Sequence, residues 1–65
     1  MNKEAIKMMS VATMVSSAMT YGHEIAWNKQ KMIEAKTEKE KNKYALEMAK
    51  CQEILNMMYE EALTR

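Results

Sequence analysis

The chain has no proline, no phenylalanine and no aspartate, and it holds a single glycine, cysteine, histidine and tryptophan among its 65 residues. Each scarcity closes off a class of structure. Without proline, and with one glycine, almost nothing breaks a helix or supplies the tight turns that a β-sheet needs. One cysteine cannot form a disulfide within the chain, and one histidine, one cysteine and no aspartate give no spaced ligand set for a structural metal. A chain of this length buries only about 60% of its unfolded surface, and small folds lacking disulfides and metals turn to a partner chain. Oligomerisation is therefore expected. The lone cysteine fits a reducing, cytoplasmic setting. A net charge of +1 gives no bulk attraction to nucleic acid or to a membrane surface.

Alanine, lysine, glutamate, glutamine and nine methionines fill the space left, all of them good helix formers. Methionine is flexible and polarisable, so it packs irregular gaps in a core and suits surfaces that repack against partners. Near the start, Lys3 and Lys7 precede an uncharged run from Met8 to Gly22, an outline reminiscent of a secretory leader. Glu4 among the leading charges, and the hydroxyls of Ser10, Thr13, Ser16, Ser17 and Thr20, argue instead for a buried helix. The run is too short and too polar to span a bilayer, so no membrane association is expected.

The cleanest pattern lies in Tyr44–Ala62. Tyr44, Met48, Cys51, Leu55, Met58 and Ala62 recur at alternating steps of four and three, which keeps them on one stripe of a helix. The first half of the chain carries a stripe of Met8, Val11, Val15, Ala18, Gly22, Ile25 and Met32, interrupted by Lys29, beside a second of Ala5, Ala12, Met19, Ala26 and Ile33. Between Glu34 and Lys43 the pattern vanishes into four lysines and three glutamates, and Thr37 followed by Glu40 reads as a capping box. The reading is an all-α fold in a single domain, residues 1–65. It comprises a helix over about 3–35, a turn near 35–37 and a helix over about 38–63, paired as an antiparallel hairpin.

Folding about residues 36–37 sets Ile25 against Met48, Gly22 against Cys51, Ala18 against Leu55, Val15 against Met58 and Val11 against Ala62. That register puts the closest crossing at Gly22 and Cys51. Gly22 also offers a rival turn, since glycine often follows a helix C-terminus, and a break there gives a three-helix arrangement. A hairpin leaves Trp27, Ile33, Ile54, Tyr59 and Leu63 uncovered, and exposed apolar surface of that extent marks an interaction site. A second hairpin docked there makes a homodimeric four-helix bundle.

No constellation for catalysis, cofactor binding or metal binding emerges. His23 lacks a partner at helical spacing, with Thr20 and Ala26 three residues to either side. Cys51 sits mid-stripe, where a thiol behaves as a small apolar group. The pairs Met8–Met9 and Met57–Met58 diverge by about 100° on a helix, so neither pair converges on a soft ion. The chain is thus expected to be no enzyme and to need no cofactor. The candidate protein-binding residues are Trp27, Ile54, Met57, Tyr59 and Leu63. The alternative is a nucleic-acid site at Lys29, Lys31, Lys36, Lys39, Lys41 and Lys43, which against Glu34, Glu38 and Glu40 leave a local charge of +3. Tyr44 and Trp27 stand ready to stack on bases there. The interleaved acids and the missing arginine weigh against that use.

The opening MNKEAIKMM, the run SSAMTYGHE and the proline-free, methionine-rich two-helix layout over the whole length resemble the small all-helical accessory proteins of temperate phages, in particular of the exo–xis region of lambdoid phages. The resemblance implies an early-expressed factor acting on host physiology through contacts with a host protein, in the cytoplasm of a bacterial cell. In length and helix pairing the chain is also similar to the Rop-type RNA-binding hairpin dimers. That family's basic and aromatic RNA-facing surface has no residue-by-residue match here.

Overall fold

In the computed structural model, which describes residues 1–65, the chain is all-α and has three helices: α1 over Lys3–Lys7, α2 over Val11–Glu34 and α3 over Glu38–Leu63. Each start is set by a side chain that accepts the backbone N–H three residues on. Asn2 Oδ1 takes Ala5 N at 2.9 Å, Ser10 Oγ takes Thr13 N at 3.1 Å, and Thr37 Oγ1 takes Glu40 N at 3.2 Å. Each such cap satisfies a donor that the helix itself cannot, for about 1 kcal/mol.

Helices of 24 and 26 residues are about 36 and 39 Å long. The longest dimension of the molecule is only 43 Å, so α2 and α3 lie side by side, joined by Ala35–Thr37. The turn and the second long helix fall where the sequence places them. The first helix does not. In place of one helix over 3–35, the chain breaks at Met8–Ser10 into α1 and α2, whereas Gly22, the other break considered, lies inside an uninterrupted α2 with ordinary backbone angles.

The break has a physical reason. α3 ends at Leu63, so a continuous first helix would carry residues 3–8 past it into solvent. Folding back instead buries Ile6 to 1% exposure against Met14 and Met58, with Met9, Tyr21, Ile54, Leu55 and Met57 packed around that trio. Removing a side chain of that size from water is worth about 1.5–3 kcal/mol. Arg65 completes the fold-back. Its guanidinium donates to the carbonyl oxygens of Met9 and Lys7 (2.8 Å for Lys7), reaches that of Ile6 at 3.4 Å, and pairs with Glu61 at 3.2 Å. The carbonyls of Lys7 and Met9 accept no backbone N–H, that of Ile6 also accepts Met9 N at 3.1 Å, and a cation is favoured at this end of a helix. A five-residue helix has no stability of its own, so α1 depends on Ile6 and Arg65.

The seam between α2 and α3 is a heptad. On α2 the covered positions of this stripe run Met14, Ala18, Tyr21, Ile25, Asn28 and Met32, continued by Ala35 of the turn, and on α3 Tyr44, Met48, Cys51, Leu55 and Met58, at alternating steps of four and three. The sequence-based stripe shares Ala18, Ile25 and Met32 with the real one but differs elsewhere. Val11 and Val15 are 61% and 56% exposed, and a Cβ built on Gly22 would meet nothing within 4 Å. The close crossing of Gly22 and Cys51 within the chain is therefore absent. α2 is turned so that Met14 and Tyr21, each one residue before the expected position, face α3.

Truncating Ile6 to alanine is expected to destabilise the chain by about 2–4 kcal/mol. Arg65→Ala is expected to cost about 1–2 kcal/mol and to raise amide exchange in residues 3–9 selectively. Chemical denaturation and hydrogen exchange measure both. Uniform exchange changes in the Arg65 variant would mean that the guanidinium does not hold α1.

Candidate protein-docking flank

The heptad seam divides the molecule into two flanks. At about 100° per residue, Val11, Val15 and Gly22 on α2 and Leu55, Tyr59 and Ala62 on α3 turn to one side of it. Ile54, Met57 and Glu61 turn to the other side of α3, where α1 lies. The first flank is open. A groove of about 420 Å³ runs between α2 and α3 there, floored by Met14, Leu55 and Met58 and rimmed by Val15, Ala18, Tyr59 and Ala62, with Gln52 and Asn56 as its polar members. On the α1 side a smaller cleft of about 200 Å³ is lined mainly by charged and polar groups, Lys3, Lys7, Glu60 and Glu61 among them.

The five side chains singled out for protein binding do not share one surface. Tyr59 is 67% exposed and lines the open groove, and Leu63 is likewise exposed one turn beyond it. Ile54 and Met57 are half-buried and packed against the Ile6–Met14–Met58 core, so α1 already engages them. Trp27 is exposed on the far side of α2, roughly 140° from Met14 in the opposite sense. The ammonium of Lys31 lies over its indole, 4.5 Å from the ring centre. The open flank also contains residues that the sequence reading assigned to the interior: Val11, Val15 and Gly22. The signal that separates the two was present. The stripe through Met14, Tyr21 and Asn28 runs unbroken to the turn, whereas the stripe through Val15 and Gly22 must pass Lys29. The polar atoms of Tyr21 and Asn28 disguise it.

The lysines are spread around the connection of α2 and α3, and several have partners. Lys31 covers Trp27, Lys43 lies 5.8 Å from the ring centre of Tyr44, and Lys41 approaches Glu38 at 4.0 Å. Lys29, Lys36 and Lys39 are exposed, without an ion pair or a ring against them.

Asn28 is the one polar side chain buried in the seam, at 6% exposure, and its Nδ2 donates to the carbonyl of Glu24 at 2.8 Å. A single buried asparagine in a heptad seam costs stability and fixes register. Cys51 is half-buried. Burial pushes its thiol above the ordinary value, and the carboxylates of Glu24 and Glu47 add to the shift. The thiol is therefore protonated at neutral pH, the unreactive form. His23 is exposed on α2, and nowhere do three histidine, cysteine or carboxylate side chains come together in a way that could hold a metal ion. No helix is long and apolar enough to cross a membrane. Compared with protein-family models, curated proteins and solved structures, the chain has no significant match.

Two outcomes follow. Asn28→Leu is expected to raise the unfolding free energy by about 1 kcal/mol, measured by chemical denaturation, because an apolar side chain replaces a polar one in the seam. A destabilised variant would contradict the placement of Asn28. For Cys51, a folded pKa above the unfolded one means that the thiol's contribution to stability is complete below the ordinary thiol pKa and lost as pH rises through the folded value. Alkylation by iodoacetamide at pH 8 is expected to be slow in the native chain and fast in denaturant, and equal rates would contradict the buried, acid-flanked site.

Proposed function

We propose that the chain is a non-catalytic binding protein: an antiparallel helical hairpin that works by docking its open flank against another protein, the hairpin and its partner helices together forming a four-helix bundle. The observation that carries this reading is the groove itself, apolar at its floor and rim, with Val11, Val15 and Tyr59 left more than half exposed beside it. Apolar surface gathered in this way on a small chain serves association. Helix-in-groove contact is the mode of recognition it suits.

In line with the resemblance to phage accessory proteins, the proposed cellular partner is a protein of a bacterial host, met in the cytoplasm, whose activity the contact modulates. Trp27, 58% exposed on the side of α2 away from the groove, supplies a second apolar point for such a contact. The nucleic-acid reading draws on the lysines near the turn. The pairing of Lys31, Lys41 and Lys43 with rings or a carboxylate leaves it fewer free cations than the sequence suggests.

The two readings respond oppositely to salt. Protein docking is expected to survive a rise from 50 to 200 mM salt within a few-fold, whereas binding through several phosphates loses about a thousandfold or more over that range. Tyr59→Ala or Trp27→Ala is expected to weaken partner binding by about tenfold or more, with Lys36→Ala and Lys39→Ala near neutral. Loss of binding on the lysine substitutions, with a steep salt slope, would replace this proposal with the nucleic-acid one.

A further inference from the structure

The groove is floored by residues of both long helices, but its α2 side raises a separate question. Glycine in the middle of a helix costs about 1 kcal/mol relative to alanine, and such a cost is ordinarily offset by something that must come close. Nothing in this chain does so: a Cβ at Gly22 would meet no atom within 4 Å. The residue is an open notch at the centre of α2, facing the same flank as Val11, Val15 and Ala18.

Surface area supplies an independent argument. A folded monomer of this mass exposes about 4,300 Å², whereas this 7.6 kDa chain exposes 4962 Å², with only four residues fully buried. The excess, about 700 Å², is close to the roughly 800 Å² that each partner buries in a standard stable interface. The flank is uncharged at positions 11, 15, 18, 22 and 26, and the one charge on the same stripe of α2 is the exposed Lys29.

From these we infer that the occupant of the open flank is a second copy of this chain, related by a two-fold axis beside Gly22. This deepens the binding reading above and rests on it: the open flank is taken up between two copies, and a host partner is then met on the Trp27 side that the pairing leaves exposed. A two-fold interface must be self-complementary, each patch meeting its own copy. The spacing of α2 satisfies that requirement: Ala18 and Ala26 lie four residues to either side of Gly22, and Val11 and Ile33 lie eleven to either side. An axis through Gly22 brings Ala18 against Ala26 of the partner subunit, small on small, while the two notches let the α2 helices approach closely. The longer side chains at the ends, Val11 and Ile33, then close the contact. The same axis sets Val15 against Lys29 of the partner subunit, each seven residues from Gly22, so the aliphatic stem of the lysine covers the valine while its ammonium stays at the rim, and Tyr59 is covered beside them.

The test uses the full chain in sedimentation equilibrium from micromolar to millimolar concentration, comparing wild type with Gly22→Leu and Val15→Glu. Both substitutions occupy open space in the single chain, so helicity by circular dichroism is expected to be retained. The wild type is expected to sediment as a dimer, and each substitution is expected to weaken dimerisation by about 10- to 100-fold. A wild type that is monomeric throughout would overturn the second copy as occupant and leave the docking flank itself to the salt comparison. A dimer indifferent to both substitutions would overturn the assignment of this flank and this axis.

Discussion

The direction in which α2 presents itself to α3 governs everything else in this molecule. Two long helices joined by three residues must share a seam, and only one stripe of α2 can fill it. The stripe chosen is the strict heptad from Met14 to Ala35, set against the heptad from Tyr44 on α3. With Met14 turned inward, Ile6 has a place to be buried, and α1 folds back to reach it. With Tyr21 inward, Gly22 faces solvent. With Asn28 inward, one polar side chain lies in the seam, its amide satisfied by the carbonyl of Glu24 in its own helix.

The cost of that rotation is a thin core. Three apolar residues are fully buried, and large side chains such as Val15, Met19 and Tyr59 remain more than half exposed. A chain of this length has little stability to spare, and its two flanks resolve the shortage differently. One is closed from within, by a single turn of helix that Arg65 holds through carbonyls at and just beyond its end. The other is left open, apolar and notched. This asymmetry, one flank sealed by the chain's own residues and the other left apolar and exposed, is the ground for proposing that the protein acts by association.

Much of this was legible in the residues. The helical composition, the turn near 35–37, the Thr37 cap and the whole of α3 follow from local signals, because propensity, capping and period all point the same way over those residues. α2 was harder. Its apolar and small residues populate two adjacent stripes, and the one with more purely apolar members, through Val11, Val15 and Gly22, is the one left outside. The buried stripe includes a tyrosine and an asparagine, whose polar atoms are tolerated only because the tertiary structure accommodates them. The break at Met8–Ser10 was hidden for a related reason. Ser10 and Thr13 form an ordinary N-cap, but its use depends on where α3 ends and on Arg65, some 56 residues away in sequence. Long-range dependence of that kind leaves no periodic trace.

The account stands or falls on the seam, and the most direct measurement is a set of nuclear Overhauser contacts recorded within one chain, using mixed isotope labelling to exclude contacts between copies. The expected result is a mutual set linking the methyl groups of Ile6, Met14 and Met58, with no contact between the α-protons of Gly22 and the β-protons of Cys51. An intrachain contact between Gly22 and Cys51, with Met14 free of Met58, would show that α2 is rotated the other way, and the open flank, its notch and the proposed two-fold would all be lost with it.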